Sequence, residues 1–161
     1  MRPDELYDRY GEKMYHYLAL RLGSAEDAED VLQETFCRLA RYSARWRLVR
    51  NPKAFVFKIL RNEANRFLAR RIKRREGDQA ISDEARGLAA VIEAPADAGA
   101  GLIIRALGEL PDEQREVIIL KVFQDLSFKE IAAVFGLPVN TAASRYRYAI
   151  EKLRSAMEGK A

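Results

Sequence analysis

Apolar residues recur along this chain at helical spacing, in segments separated by recognisable stop signals. Leu6, Tyr10, Met14, Tyr17, Leu18 and Leu22 lie three or four positions apart and predict a helix over Asp4 to Leu22. Gly23 ends it, and Ser24 with Asp27 forms a capping signal for the next helix. That helix, Ala25 to about Tyr42, buries Ala28, Val31, Leu32, Thr35, Phe36 and Leu39. A basic loop from Ser43 to Asn51 follows, and Asn51-Pro52 opens a third helix with Phe55, Val56, Ile59, Leu60, Phe67, Leu68 and Ile72 on its apolar side. From Glu76 to Gly101 the stripe vanishes into an acidic run rich in Ala and Gly, which predicts a flexible linker with room for a short helix from Ser82 to Glu93.

Helical periodicity returns at Leu102. Pro111 opens a helix whose Val117, Ile118, Leu120, Val122 and Phe123 supply core, and Ser127 with Glu130 is a capping box placing the next helix start at Phe128. Gly136 stops that helix, Leu137-Pro138 turns the chain, and Asn140 or Thr141 caps a last helix with Val139, Ala142, Tyr146, Ile150, Leu153 and Met157 facing inward. The predicted architecture is all-α: two small helical domains, residues 1–75 and 102–161, joined by a flexible linker over 76–101, the second a helix-turn-helix domain.

Charge sharpens this picture. The 161-residue chain has a formal net charge of +4. Between Arg38 and Arg75 stand fourteen basic residues against one acid, Glu63, a local net of +13, so the remainder carries −9. Such a concentration attracts polyanions, nucleic acid first among them. In the second helix Glu26, Asp27, Glu29, Asp30, Gln33 and Glu34 precede Arg38 and Arg41. That order suits the helix dipole, and equally a protein contact beside a nucleic-acid site.

Three groups of residues carry candidate chemistry. The basic loop bearing Trp46, Arg47 and Arg50, next to Asn62, Asn65, Arg66 and Arg70, suits an unpaired strand: rings stack on bases, amides bond their edges and guanidinium groups hold the backbone. Trp46 reads as such a stacking ring or as a core anchor. In the last helix Asn140, Thr141, Ser144, Arg145, Arg147 and Tyr148 form a polar face of the kind that enters a major groove. Neither a cofactor nor catalysis is expected, since no metal-ligand cluster, Gly-rich phosphate loop or nucleophile-base spacing occurs; His16 reads as a surface residue. The lone Cys37, the polar N-terminus and the lack of a long apolar run point to the cytoplasm and to no membrane insertion.

The runs DAEDVLQETFCRLAR (Asp27 to Arg41), NPKAFVFKILRNEANRFLARR (Asn51 to Arg71) and LPDEQREVIILKVFQDLSFKEIAAVFGLPVNTAASRYRYAIEKLR (Leu110 to Arg154) resemble a bacterial RNA polymerase sigma factor of the extracytoplasmic-function type. The resemblance implies a two-domain initiation factor. Its first domain docks on the clamp helices of the largest polymerase subunit and melts the minus-10 element, and its second reads the minus-35 element as duplex. It also implies that Asp30, Gln33 and Glu34 contact the clamp, that the Arg47 to Arg50 loop and Asn62, Asn65 and Arg66 lie near a captured base, and that Ser144 and Arg147 face DNA. An anti-sigma factor is a usual partner. The chain departs from the family where Ala142-Ala143 replaces the usual Val followed by Lys or Arg, which removes one basic reader that Arg147 and Tyr148 are placed to replace. The alternative is a stand-alone helix-turn-helix regulator acting at an operator without polymerase, which needs a dimer interface to match a palindromic site.

Overall fold

The computed structural model describes residues 2–75 and 98–159 and contains helices only among them. The elements are α1 (Pro3–Leu22), α2 (Ala25–Arg41), a 3-10 helix (Ser43–Leu48), α3 (Pro52–Arg75), α4 (Ala98–Gly108), α5 (Asp112–Ile118) running into a π-helical turn (Ile119–Phe123), α6 (Phe128–Phe135) and α7 (Val139–Glu158). The expected helix at Ser82 to Glu93 lies outside the described residues. The second helical group starts earlier than Leu102, because α4 takes in the last residues assigned to the linker.

Local signals set most boundaries. Gly23 (φ 72°) and Gly136 (φ 69°) end α1 and α6 in the left-handed conformation that suits a residue without Cβ. The Asp27 amide donates to Ser24 Oγ at 3.2 Å, and Ser127 and Glu130 bond reciprocally at 2.9 and 3.1 Å. Asn51 caps α3 through its side chain, which accepts from the Ala54 amide at 3.1 Å. The buried Arg115 donates to the carbonyls of Leu107 and Leu110, at 3.2 and 3.1 Å, so a side chain from α5 satisfies orphan acceptors at the end of α4.

Some inward assignments need correction. Neither Asn140 nor Thr141 caps α7; Pro138 stands at the N-cap with extended backbone and Val139 is the first helical residue, exposed ahead of the buried Ala142 where α7 meets α6. Val122 and Phe123 point outward because the π-helical turn adds a residue to the register and rotates them away from the core. Ile72 is exposed in the last turns of α3, beyond the point where Arg71 donates to the Leu22 carbonyl.

α1, α2 and α3 pack together, and α4 to α7 form a second group. The two groups share one continuous core. Phe57 on α3 is fully buried and meets the Tyr17 ring edge-on, centroids 5.9 Å apart. α3 also packs on α6, and the Arg61 guanidinium lies 4.6 Å from the centroid of Phe135.

The centre of this junction is Glu116, with a side chain 1% exposed. Its Oε1 accepts from the Tyr17 hydroxyl at 2.9 Å and from Arg61 Nε at 2.6 Å, and its Oε2 lies 3.7 Å from Arg21. Arg21, itself buried, also reaches Asp112 at 3.2 Å and donates to the Asn65 side-chain oxygen. Lys53 adds a bond to the Asp125 carbonyl at 3.0 Å. Removing one member of a buried ion group leaves its partners' charges uncompensated and typically costs about 3–5 kcal/mol. Glu116→Ala is therefore expected to lower the denaturation midpoint and to raise the radius of gyration above the ~15 Å of a compact chain of this length. Small-angle scattering and denaturant unfolding check this; an unaltered radius and midpoint would mean that the network does not hold the two groups together.

Candidate nucleic-acid interface

The α2–α3 face gathers much of the basic stretch around one cleft. Arg38, Arg41 and Tyr42 from the end of α2, Arg45 from the 3-10 helix, and Asn62 and Arg66 from α3 line a space of about 400 Å³. Ile59 and the buried Glu63 complete it. Arg47 is exposed on the 3-10 helix, Arg50 is exposed between it and α3, and Arg70 is exposed four residues beyond Arg66 on α3. Of the expected contacts, Asn62 and Arg66 line the cleft, and Arg47, Arg50 and Arg70 are exposed donors elsewhere on the basic stretch. A groove with this charge and these donors holds a phosphate backbone and leaves amide groups for base edges.

Two expected members stand apart. Trp46 is only 7% exposed, its ring edge-on to Phe55 at 5.5 Å, so it is the loop's anchor and not a ring open to a base. Its sequence position between arginines suits both roles; only the packing against Phe55, nine residues later, decides. Asn65 lies on another side of α3, turned to the domain junction, where its side-chain oxygen is taken by Arg21. Residues three apart on a helix, such as Asn62 and Asn65, are offset enough for a neighbouring helix to claim one of them.

On α7 the expected polar face is largely open. Asn140, Thr141, Arg147 and Tyr148 are exposed, and the Arg147 guanidinium donates to Ser144 Oγ at 3.2 Å. Asn140 and Thr141 occupy the first turn, where the unpaired amides and the positive end of the dipole favour phosphate. Arg145 is drawn off this face: its guanidinium lies 5.5 Å from the centroid of Phe135 and 3.9 Å from Glu113. Ala142 is fully buried, where α7 packs against the rest of the domain.

The acidic face of α2 leaves Asp30, Gln33 and Glu34 exposed. Asp27, close by, is instead paired with Arg71 at 3.3 Å. Gln33 also lines a groove between α1 and α2 with Tyr7, Gly11, Tyr15, Leu32 and Phe36.

Sequence reading missed Tyr17, Arg21, Arg61 and Glu116 as a group, and Glu63. The one available signal was Arg21, a charged residue set in the apolar end of α1 next to Leu20 and Leu22. Burial and then the neighbouring Glu116 carboxylate push the Tyr17 hydroxyl well above its usual range, so it stays a neutral donor. For Arg21 burial opposes the charge, but the Tyr17 hydroxyl oxygen, which accepts from it at 3.2 Å, and the Glu116 and Asp112 carboxylates outweigh it and the guanidinium is held more firmly protonated. At Glu130 partial burial acts upward, and the Ser127 amide, the Asn51 side chain and the Ser127 hydroxyl together bring its carboxyl below the usual value.

Two family models match this chain in order: Sigma-70 region 2 over residues 6–75 and Sigma-70, region 4 over residues 100–153. Among curated relatives, the ECF RNA polymerase sigma factor SigL of Mycobacterium tuberculosis is 32% identical over 162 residues, spanning 95% of this chain and 87% of the relative. The ECF sigma factor SigW of Bacillus subtilis is 28% identical over 164 residues, 93% and 86% of the two chains. Among solved structures, the sigma factor RpoE in complex with the anti-sigma factor NepR from Bartonella quintana superposes with a TM-score of 0.75 at 25% identity, covering 96% of this chain and 95% of that one. CnrH in complex with the cytosolic domain of CnrY gives 0.71 at 25% identity, covering 99% and 89%.

Burial makes Trp46 a matter of stability. Trp46→Ala is expected to destabilise the chain by about 3–5 kcal/mol through lost apolar contact and a residual cavity. Denaturant unfolding measures it; a loss below about 1 kcal/mol, accompanied by weaker single-strand binding, would return Trp46 to the DNA-contacting set.

Proposed function

This chain belongs to the sigma-70 family, in its extracytoplasmic-function group of RNA polymerase sigma factors, and from that membership we propose how its residues divide the work. It binds core RNA polymerase and directs promoter-specific transcription initiation. Residues 1–75 hold the polymerase and open the minus-10 element, and residues 102–161 read the minus-35 element. Asp30, Gln33 and Glu34, exposed on one helix, are the contact with the clamp of the largest subunit. Arg47, Arg50, Asn62, Arg66 and Arg70 take the displaced strand. Asn140, Thr141, Ser144, Arg147 and Tyr148 enter the upstream major groove, Arg147 standing four residues beyond Ala143 on the same helical face. The observation that carries this reading is the order of the two matched regions, each bearing an accessible polar or basic face. An operator-binding regulator has no need of the region over 6–75, and that alternative is set aside.

The work is binding work. Capture of unpaired bases contributes on the order of 1–3 kcal/mol per stacked base, against an opening cost of a few kcal/mol. No helix among the described residues is long and apolar enough to cross a membrane, and we place the chain in the cytoplasm with the polymerase. An anti-sigma factor is a further expected partner, since the RpoE structure holds the anti-sigma factor NepR and the CnrH structure holds the cytosolic domain of CnrY.

Geometry adds one requirement. The two promoter elements are named for positions about 25 base pairs apart, roughly 85 Å of duplex at ~3.4 Å per pair. A compact chain of this length has a radius of gyration of only ~15 Å. Simultaneous contact with both elements requires the junction at Glu116 to open.

Transcription reconstituted with core polymerase on a selected promoter library tests the reading; absence of any promoter-specific transcript counts against it. Replacing Asp30, Gln33 and Glu34 together by Ala is expected to weaken polymerase binding at least tenfold and to leave the full chain's affinity for upstream duplex unchanged, as calorimetry and anisotropy measure. Arg147→Ala should cost about 1–3 kcal/mol of upstream-element affinity. An unchanged footprint would show that another face of α7 meets the groove.

A further inference from the structure

One carboxylate lies within the basic cleft, and by charge alone it opposes a phosphate ligand. Glu63 is the single acid between Arg38 and Arg75, its side chain is 5% exposed, and its Oε1 pairs with both Arg38 from α2 and Arg66 from α3, the latter at 3.2 Å. The two arginine side chains keep 41% and 56% of their surface open to the cleft and to solvent. Arg41 and Arg45, on the same rim, have no acidic partner among the described residues. The cleft therefore holds two guanidinium groups with fixed stems and two without.

That difference has a physical consequence. An arginine has many rotamers, and freezing them when a strand binds weakens binding; a guanidinium already tied to a buried carboxylate has less freedom left to lose. A cleft of about 400 Å³ is in the size range of a small-ligand site, which a base displaced from the stack fits and an intact duplex does not. We propose that Glu63 is a positioning residue: it pre-orders Arg38 and Arg66 for a single strand and so favours the melted promoter over duplex DNA. The proposal rests on the reading that this cleft takes the minus-10 strand.

Glu63→Gln keeps the side chain's shape and removes its charge. Both arginine side chains are partly open to water, and Gln keeps an acceptor oxygen to face the buried Arg38 Nε, so the fold is expected to hold. The readout is the ratio of the full chain's affinities for a short single-stranded oligonucleotide and for the same sequence as duplex, by fluorescence anisotropy, with thermal unfolding alongside. Preorganisation predicts that the variant's ratio falls about tenfold, that duplex affinity holds or rises because a repelling charge is gone, and that Glu63→Asp restores part of the ratio. The proposal is overturned if single-strand and duplex affinities rise together, as a pure charge effect requires. It is equally overturned if both fall with the melting temperature, as a structural tie between α2 and α3 requires, or if the wild-type chain shows no single-strand preference. Permanganate probing of promoter opening with core polymerase runs in parallel. Wild-type protein that prefers single strands but opens no promoter refutes the initiation reading and leaves the role of Glu63 standing.

Discussion

A carboxylate inside a protein is stable only when its charge is answered on the spot, and that constraint at Glu116 organises this molecule. Two donors meet it, the Tyr17 hydroxyl and the Arg61 guanidinium, and Arg21 adds an ion pair at 3.7 Å; all three come from the first helical group, while Glu116 belongs to the second. Neither group satisfies these charges alone. The buried ions therefore set how α1 and α3 face α5, whereas the apolar residues around them supply most of the favourable burial at roughly 25 cal/mol per Å². Polar junctions of this kind specify an arrangement more than they stabilise it, and they open more readily than an apolar core because the separated charges regain water. Under the proposed division of labour, in which the two halves reach elements far apart on DNA, such a junction has a use.

The same electrostatic logic recurs in the distribution of charge. Acids occupy one face of α2 and bases its end, the 3-10 helix and α3, so opposite surfaces a few turns apart suit partners of opposite character. Where an acid does stand among the bases, at Glu63, it is buried and paired with arginines from two helices. In the proposed single-strand role of the cleft, phosphate attraction supplies affinity and fixed side chains supply geometry.

α7 shows how packing divides one helix between fold and recognition. Phe135 and Glu113 hold Arg145 against the domain, Ala142 is buried on the inner side of α7, and Arg147 and Tyr148 remain outside. With Ala143 in place of a basic residue, the exposed polar side chains in the first half of this helix are clustered at its first turn and at Arg147 and Tyr148. In the proposed upstream role, a larger share of the charge falls on Arg147.

The helices themselves were legible from residues alone. Periodicity of three to four, Gly23, Gly136, and the caps at Ser24, Asn51 and Ser127 act within one or two turns, so adjacent positions contain all that decides them. The helix-turn-helix, the basic stretch and the exposed faces followed from the same local rules. Tertiary structure alone decided what depends on residues far apart: that Trp46 is anchored on Phe55, that Asn65 turns to Arg21, that a π-helical turn rotates Val122 and Phe123 outward, and that Tyr17 meets Glu116. The physical reason is that a single helix offers several faces of similar polarity, and which one is buried is settled only by the surface that another part of the chain brings against it.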